Sequence, residues 1–299
     1  MAYRFRSLAI LTLFFLASCG LESPTDTGGT PVAAEIALSH SALNFESVGA
    51  SEQVSAEVSD QNGDPLSSAP VAWSSSDAAI GTVSTSGVVT AVSNGTATIT
   101  ATSGAASATV AVEVSQVAAS LVVSPDPISM ESLGETSQLT AVVEDASGAV
   151  IPGATVAWVS TDEAVATVSA AGLVTSQGNG TTSVTATSGS ASGSASVTVQ
   201  QVATSVAVTP PPPPFLTPGA TLQLSAMAAD ALGSMVEGAA PVWTSSDPAA
   251  ATVSADGLVT GIAEGMSVIT ATVSSVSGTT DVTVTDQTAS YKVTFTSTW

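Results

Sequence analysis

"VAWSSSD", residues 71–77, sets one tryptophan ahead of three hydroxyls and a carboxylate, a spelling that suits either a small binding site or a core residue entering a loop. The phrase returns as "VAWVSTD" at 156–162 and "PVWTSSD" at 241–247, so Trp73, Trp158 and Trp243 stand 85 residues apart. Ile36, Leu121 and Val206 keep the same step, as do Gln53, Gln138 and Gln223, then Gly87, Gly172 and Gly257, and the register reads without a gap from about 32 to 286. Solenoid repeats run to roughly 20–50 residues, whereas this period is long enough to enclose a core of its own. Each copy is therefore expected to be a separate small domain, at 32–116, 117–201 and 202–286.

Within a copy, Val, Thr, Ser, Ala and Gly dominate short alternating runs. "GTATITATSG" (95–104) places Ala97, Ile99 and Ala101 on one face and four threonines on the other. "STSGVVT", "SAAGLVT" and "SADGLVT" each spell a tight hairpin whose glycine (Gly87, Gly172, Gly257) takes a positive φ. The pattern predicts an all-β chain, with about seven short strands per copy in an antiparallel two-sheet sandwich. The three copies hold only five aromatics, the three tryptophans with Phe45 and Phe215. Trp73, Trp158 and Trp243 are thus expected as structural core residues, with Asp77, Asp162 and Asp247 capping the loops that follow.

These residues carry a family resemblance. "WSSSD…GTVSTSGVVT…GTATITAT", "WVSTD…ATVSAAGLVT…GTTSVTAT" and "WTSSDPAAATVSADGLVT…GMSVITAT" resemble the bacterial immunoglobulin-like domain, group 2, of intimin- and invasin-type surface proteins. Departures are small: Gly81 stands for the alanine of the other copies, and Glu264 for the turn asparagine of Asn94 and Asn179. The resemblance implies three tandem immunoglobulin-like β-sandwich domains that serve as an extracellular structural or adhesive module, and it implies no catalytic residues. Short apolar junctions such as "VTVQQVATSVAVTP" (197–210) predict a fairly stiff rod, roughly 35–45 Å per domain for strands of about ten residues.

The first 18 residues read as a signal peptide: Arg4 and Arg6, the apolar "LAILTLFFLA" (8–17), then small residues leading to Cys19. That run is too short for a helix that needs about 20 apolar residues to cross a bilayer. "LASC" followed by Gly20 resembles the bacterial lipobox, which implies a lipid on Cys19, a membrane partner through that anchor and, in the absence of an aspartate after the cysteine, an outer-membrane or cell-surface destination. Residues 19–31, "CGLESPTDTGGTP", have the composition of a flexible tether. Cys19 is the only cysteine, so the domains must be stable without disulfides. Beyond it, Lys292 is the one basic residue against 24 Asp and Glu, a net charge of about −23 that repels phosphate backbones and excludes nucleic acid as a partner.

The constellations that carry chemistry are missing from this sequence. His40, the single histidine, sits where the other copies have Pro125 and Pro210, and no serine lies in a nucleophile elbow with a histidine to activate it. Neither an enzyme nor a cofactor is expected. "DQNGDP" (60–65) spaces Asp60, Asn62 and Asp64 as calcium ligands, but Pro65 and Val71 stand where an EF-hand needs glycine and glutamate, so the loop reads first as a hairpin turn and second as a calcium candidate. "NGT" at 94–96 and 179–181 reads as a hairpin rather than a glycosylation site. "TPPPPPF" (209–215) reads as a proline-protected edge strand.

After Asp286 the composition changes. Tyr291, Val293 and Phe295 alternate onto one face of "YKVTFTSTW" (291–299), a strand expected either to dock on the third copy or to open a further domain. These residues are similar to the start of the spondin N-terminal domain. The function expected is a lipid-anchored surface rod acting in adhesion, with an extracellular protein or polysaccharide ligand, or as a stalk. The alternatives are a carbohydrate- or matrix-binding module, which needs exposed aromatics the copies hardly supply, and a stalk presenting a domain beyond residue 299.

Overall fold

The computed structural model describes residues 30–210 and 215–286. Residues 1–29, which include the expected signal peptide and Cys19, Pro211–Pro214 and the segment 287–299 lie outside the described residues. The first domain is built from β1 (Ala33–Leu38), β2 (Ala42–Phe45), β3 (Ser51–Gln53), β4 (Ala56–Asp60), β5 (Ala72–Ser75), β6 (Gly81–Val83), β7 (Val88–Ala91), β8 (Gly95–Ser103) and β9 (Ala106–Val114). The second and third domains repeat these nine strands.

Nine strands, not seven, arise because the chain changes partner in mid-strand twice. Around His40 it leaves β1, which pairs with β4, and becomes β2, which pairs with β9. At Val54 and Ser55 it leaves β3, bonded to β7, and becomes β4. The outcome is one four-stranded sheet in the order β2-β9-β8-β5, covered by the ladders β1-β4 and β3-β7-β6. The sandwich is also not wholly antiparallel, since β2 runs parallel to β9 in the register Ala42↔Ala111 to Phe45↔Val114.

Alternation along β8 and β9 fixes which face is dry. Ile99, Ala101, Val110 and Val112 are at most 1% exposed, while Thr96, Thr98 and Glu113 between them face solvent. Two apolar clusters result, one joining Leu43, Val54, Val89, Ile99 and Val112, the other joining Ile36, Val58 and Ala101. Trp73 is half-buried and packs against both, at the place where the two covering ladders part. The fully buried centre belongs to smaller side chains such as Ile99, Leu139, Leu224 and Ile269, so the indole is a bridge at the flank of the core rather than its central plug.

Each indole lies against the hairpin glycine that follows it. Gly172 and Gly257 have φ of 81° and 80°, and a Cβ at either would stand 3.1 Å from the Trp158 or Trp243 ring and 2.7 Å from the carbonyl of Leu139 or Leu224. Gly87 is placed the same way over Trp73. The glutamine of each repeat secures the same hairpin: Gln138 Nε2 donates to Leu139 O at 2.7 Å and Ala171 O at 2.8 Å, with Gln53 and Gln223 making the matching bonds.

The unbroken register read from the sequence slips once. Phe45 O and Met130 O accept from Ser115 N and Gln200 N, but in the third domain it is Leu216 O that accepts from Thr285 N. Leu216 therefore fills the core position, and Phe215 turns outward, 62% exposed. The chain regains step at Gly219, which bonds Gly261 O as Gly134 bonds Ser176 O and Gly49 bonds Ala91 O.

Two positions in the third domain break its own pattern. Thr280 stands where the others have Val110 and Ala195, and its Oγ1 is buried with no hydrogen-bond partner among the described residues. Ser274 has φ of 54° at the hairpin position held by Gly104 and Gly189. Thr280→Val removes an unsatisfied buried hydroxyl and is expected to stabilise the third domain by about 1 kcal/mol, and Ser274→Gly by a similar amount, both read as shifts of the urea unfolding midpoint.

Candidate functional site

The stretch that opened the reading is a turn. Asp77, Asp162 and Asp247 each accept through Oδ1 from the N–H two residues on, at 2.9–3.0 Å. Ser75 Oγ donates to Gly81 O at 2.6 Å, and Ser76 Oγ accepts from Thr98 N at 2.9 Å, so the hydroxyls serve backbone groups. His40 Nδ1 lies 2.9 Å from Ser39 Oγ, at the partner change between β1 and β2. Asp60 Oδ1 accepts from Asn62 N at 2.8 Å and Asp64 N at 3.0 Å. Asp60 Oδ1 thus closes its own loop, while Asn62 and Asp64 are exposed. Among the described residues no three His, Cys, Asp or Glu side chains converge as metal ligands.

The counterparts of Asp60 do more. Asp145, 2% exposed, closes its loop through Oδ1, which accepts from Ser147 N at 2.9 Å and Ala149 N at 3.1 Å. Its other oxygen reaches into the preceding domain, where Oδ2 accepts from Val48 N at 2.9 Å and from Gln116 Nε2 at 2.8 Å. Ser147 Oγ lies 2.7 Å from Oδ1 and 2.8 Å from Val48 O, so its single proton serves either side of the joint. Gln116 is held in turn by Asn94, whose Oδ1 accepts from Gln116 N at 2.8 Å and whose Nδ2 donates to Gln116 Oε1 at 3.1 Å.

The second joint repeats the first. Asp230 Oδ1 accepts from Leu232 N and Ser234 N, and Oδ2 from Leu133 N and Gln201 Nε2, both at 2.9 Å. Asn179 Oδ1 accepts from Gln201 N at 2.7 Å. The two domain boundaries thus carry the same clasp, a buried carboxylate from one domain gripped by an amide and a backbone N–H of the one before.

Hydrogen-bond donors set the charge state. For Asp145 the Ser147 hydroxyl leads, burial opposes it, and the Gln116 amide with the Val48 and Ala149 N–H groups adds to it, so the carboxyl is held well below the usual range. For Asp230 burial acts first and upward, but Gln201 and the N–H groups of Leu133, Ser234 and Leu232 outweigh it and the net shift is again downward.

At the far end of the third domain each donor has been replaced. Position 218, matching Val48 and Leu133, is proline and has no N–H to give. Asp286 replaces Gln116 and Gln201, and Glu264 replaces Asn94 and Asn179. The turn itself persists, with Asp286 N donating to Glu264 Oε1 at 3.0 Å. In the sequence Asp145 and Asp230 are all that the second and third copies keep of the Asp60, Asn62 and Asp64 spelling, and nothing local marks the glutamines. The 85-residue spacing of Gln116 and Gln201 was the available signal.

Nine strands per unit, a parallel contact between the early and last strands, and units joined end to end define a tandem array of immunoglobulin-like domains. The chain belongs to the bacterial Ig-like domain (group 2) family, whose sequence profile matches residues 45–114, 119–199 and 202–284. Ice-binding protein 1 of Shewanella frigidimarina (strain NCIMB 400) is 38% identical over 205 residues, which cover 68% of this chain and 23% of that protein. FdeC, an Escherichia coli adhesin, is 23% identical over 86% of this chain and 99% of its own, with a TM-score of 0.39. Surface layer protein SbsC, domains 1–6, is 21% identical over 86% of this chain and 40% of its own, with a TM-score of 0.31.

Asp145→Asn presents an N–H₂ to Val48 N–H and the Gln116 amide, placing donor against donor while Oδ1 still closes the loop. The expected result is greater flexibility between the first two domains in small-angle X-ray scattering, with the unfolding midpoint of the second domain little changed. Because both carboxyls ionise more readily when folded, the stability they lend is present above the ordinary carboxylate range, near pH 4, and is lost as pH falls through the lowered values. The same scattering profile is therefore expected to hold from neutral pH to about pH 4 and to broaden only below it.

Proposed function

We propose that this chain is a non-enzymatic, lipid-anchored bacterial surface protein whose three domains form a stalk that holds an adhesive contact away from the cell. The observation that carries this reading is the repeated clasp: two joints with matching partners order the domains in series. The outermost reach of such an array is set by the number of domains, and adding a domain adds length without new chemistry. Family membership supports the reading, since the domain is of a non-enzymatic kind. Cys19 supplies the membrane partner through its lipid, the high negative charge keeps the rod dispersed at an outer-membrane surface, and an extracellular protein or polysaccharide is the ligand class.

A second form of the same reading makes the domains a spacer for other parts of a longer protein. Its support is that the relative named for ice binding shares this chain's domains over only 23% of its length.

The anchor is tested by Cys19→Ala. The variant is expected to leave the membrane fraction and to lose incorporation of radiolabelled palmitate, while its three domains unfold as in the parent. A Cys19→Ala protein that stays with the membrane and through a high-salt wash would remove lipidation from the proposal and leave the stalk to be judged on scattering alone.

A further inference from the structure

The first domain carries the receiving half of the clasp. Asp60 is 6% exposed and closes its loop through Oδ1 as Asp145 and Asp230 do, yet among the described residues no group donates to its Oδ2. In the other two copies that oxygen accepts a backbone N–H and a glutamine amide from the domain before. The rest of the receiving surface is present too. Pro65 stands where Met235 offers its carbonyl to Gln201 Nε2 at 3.1 Å. Exposed Asn62 stands where Ser147 Oγ lies 2.8 Å from Val48 O, and its amide is a donor of the kind that carbonyl needs. Gln61, which is Ala146 and Ala231 in the other copies, settles a further group: its Oε1 accepts from Val32 N at 3.2 Å, whereas Val117 N and Val202 N donate across their joints to Glu46 O and Glu131 O. The end of the first domain is thus satisfied at Val32 without a neighbour, and the second oxygen of Asp60 is left to be filled.

We propose that this end is a docking surface for the far end of an immunoglobulin-like domain borne by another chain, one that presents a backbone N–H and a glutamine braced by asparagine, as Val48, Gln116 and Asn94 do. The chemistry of Oδ2 defines that partner, since a carboxylate oxygen going out of water needs donors to replace its hydration, and both filled copies supply two. A second copy of this chain is excluded. The far ends of its first two domains are already taken by Asp145 and Asp230. Its third domain brings Pro218, which has no N–H, and the carboxylates of Glu264 and Asp286 toward that of Asp60. The replacements at the far end therefore guard the rods against joining head to tail, while the near end stays open to a different protein.

The test restores the missing donors at the chain's own far end and uses that chain as the probe, in a Cys19→Ala background so that no lipid enters the readout. Pro218→Val, Glu264→Asn and Asp286→Gln together are expected to make the full chain self-associate in sedimentation equilibrium with a chelator present, at concentrations where the parent stays monomeric. Adding Asp60→Asn, which keeps the loop bonds of Oδ1 but sets an amide against the incoming donors, is expected to weaken that association at least about tenfold. Should Asp60→Asn unsettle the first domain, the restored chain with Asp286 left as it stands keeps that domain untouched and is expected to lose the association to the same extent. A restored chain that stays monomeric would overturn the proposal, as would self-association of the parent, association that survives Asp60→Asn in a folded first domain, association indifferent to residue 286, or association seen only when calcium replaces the chelator.

Discussion

Everything in each domain is arranged around an indole lying on a glycine. The ring can sit there only because residue 87, 172 or 257 has no side chain, and the hairpin can turn there only because that residue accepts a positive φ. The contact fixes the distance between the four-stranded sheet, which carries the tryptophan, and the ladder that carries the hairpin. The amide of Gln53, Gln138 or Gln223 then ties the hairpin back to the preceding strand. With so few aromatics and no disulfide, one well-placed ring per domain sets the layer spacing that a larger protein would set with a crowded core.

The joints follow a different logic from the cores. A hydrophobic junction would hold domains together without fixing their order, whereas a carboxylate that needs an amide and an N–H admits only a partner that offers both. Asp60, Asp145 and Asp230 all close their own loops, and the latter two also receive the preceding domain. A single residue type therefore serves a local and an intermodular purpose, with the second added by its neighbour. The direction of the array is written in these residues, because Pro218, Glu264 and Asp286 prevent the third domain from offering the same grip.

Much of the fold was legible because an 85-residue period repeats its own punctuation. The tryptophan, the hairpin glycine and the alternating "GTATITAT" run identify the sandwich and its dry face. Splitting of the first two strands was not legible, since Val54 and Ser55 carry no turn signal and the change of partner is dictated by which ladder covers the sheet. The slip at Leu216 was hidden because Phe215 matches Met130 in the linear register, and only the hydrogen bond to Thr285 shows which residue takes the core position. The clasp was half visible: Asp145 and Asp230 repeat Asp60 at the 85-residue step, but the glutamine that grips each lies across the boundary in a neighbour that local reading does not consult. The anchor at Cys19 rests on sequence alone.

Parallel pairing of an early strand with the last one has a mechanical meaning. When a rod of this kind is pulled by its ends, the entering chain at the start of β2 and the leaving chain at the end of β9 move in opposite directions along the same ladder. The bonds between them are then loaded together in shear instead of parting one by one. Among the described residues the first domain sets four residues of β2 against β9, the second sets Ile128–Met130 against its last strand, and the third sets Phe215 and Leu216. Tension on the chain is thus carried in each domain by a ladder that holds until its bonds give way at once.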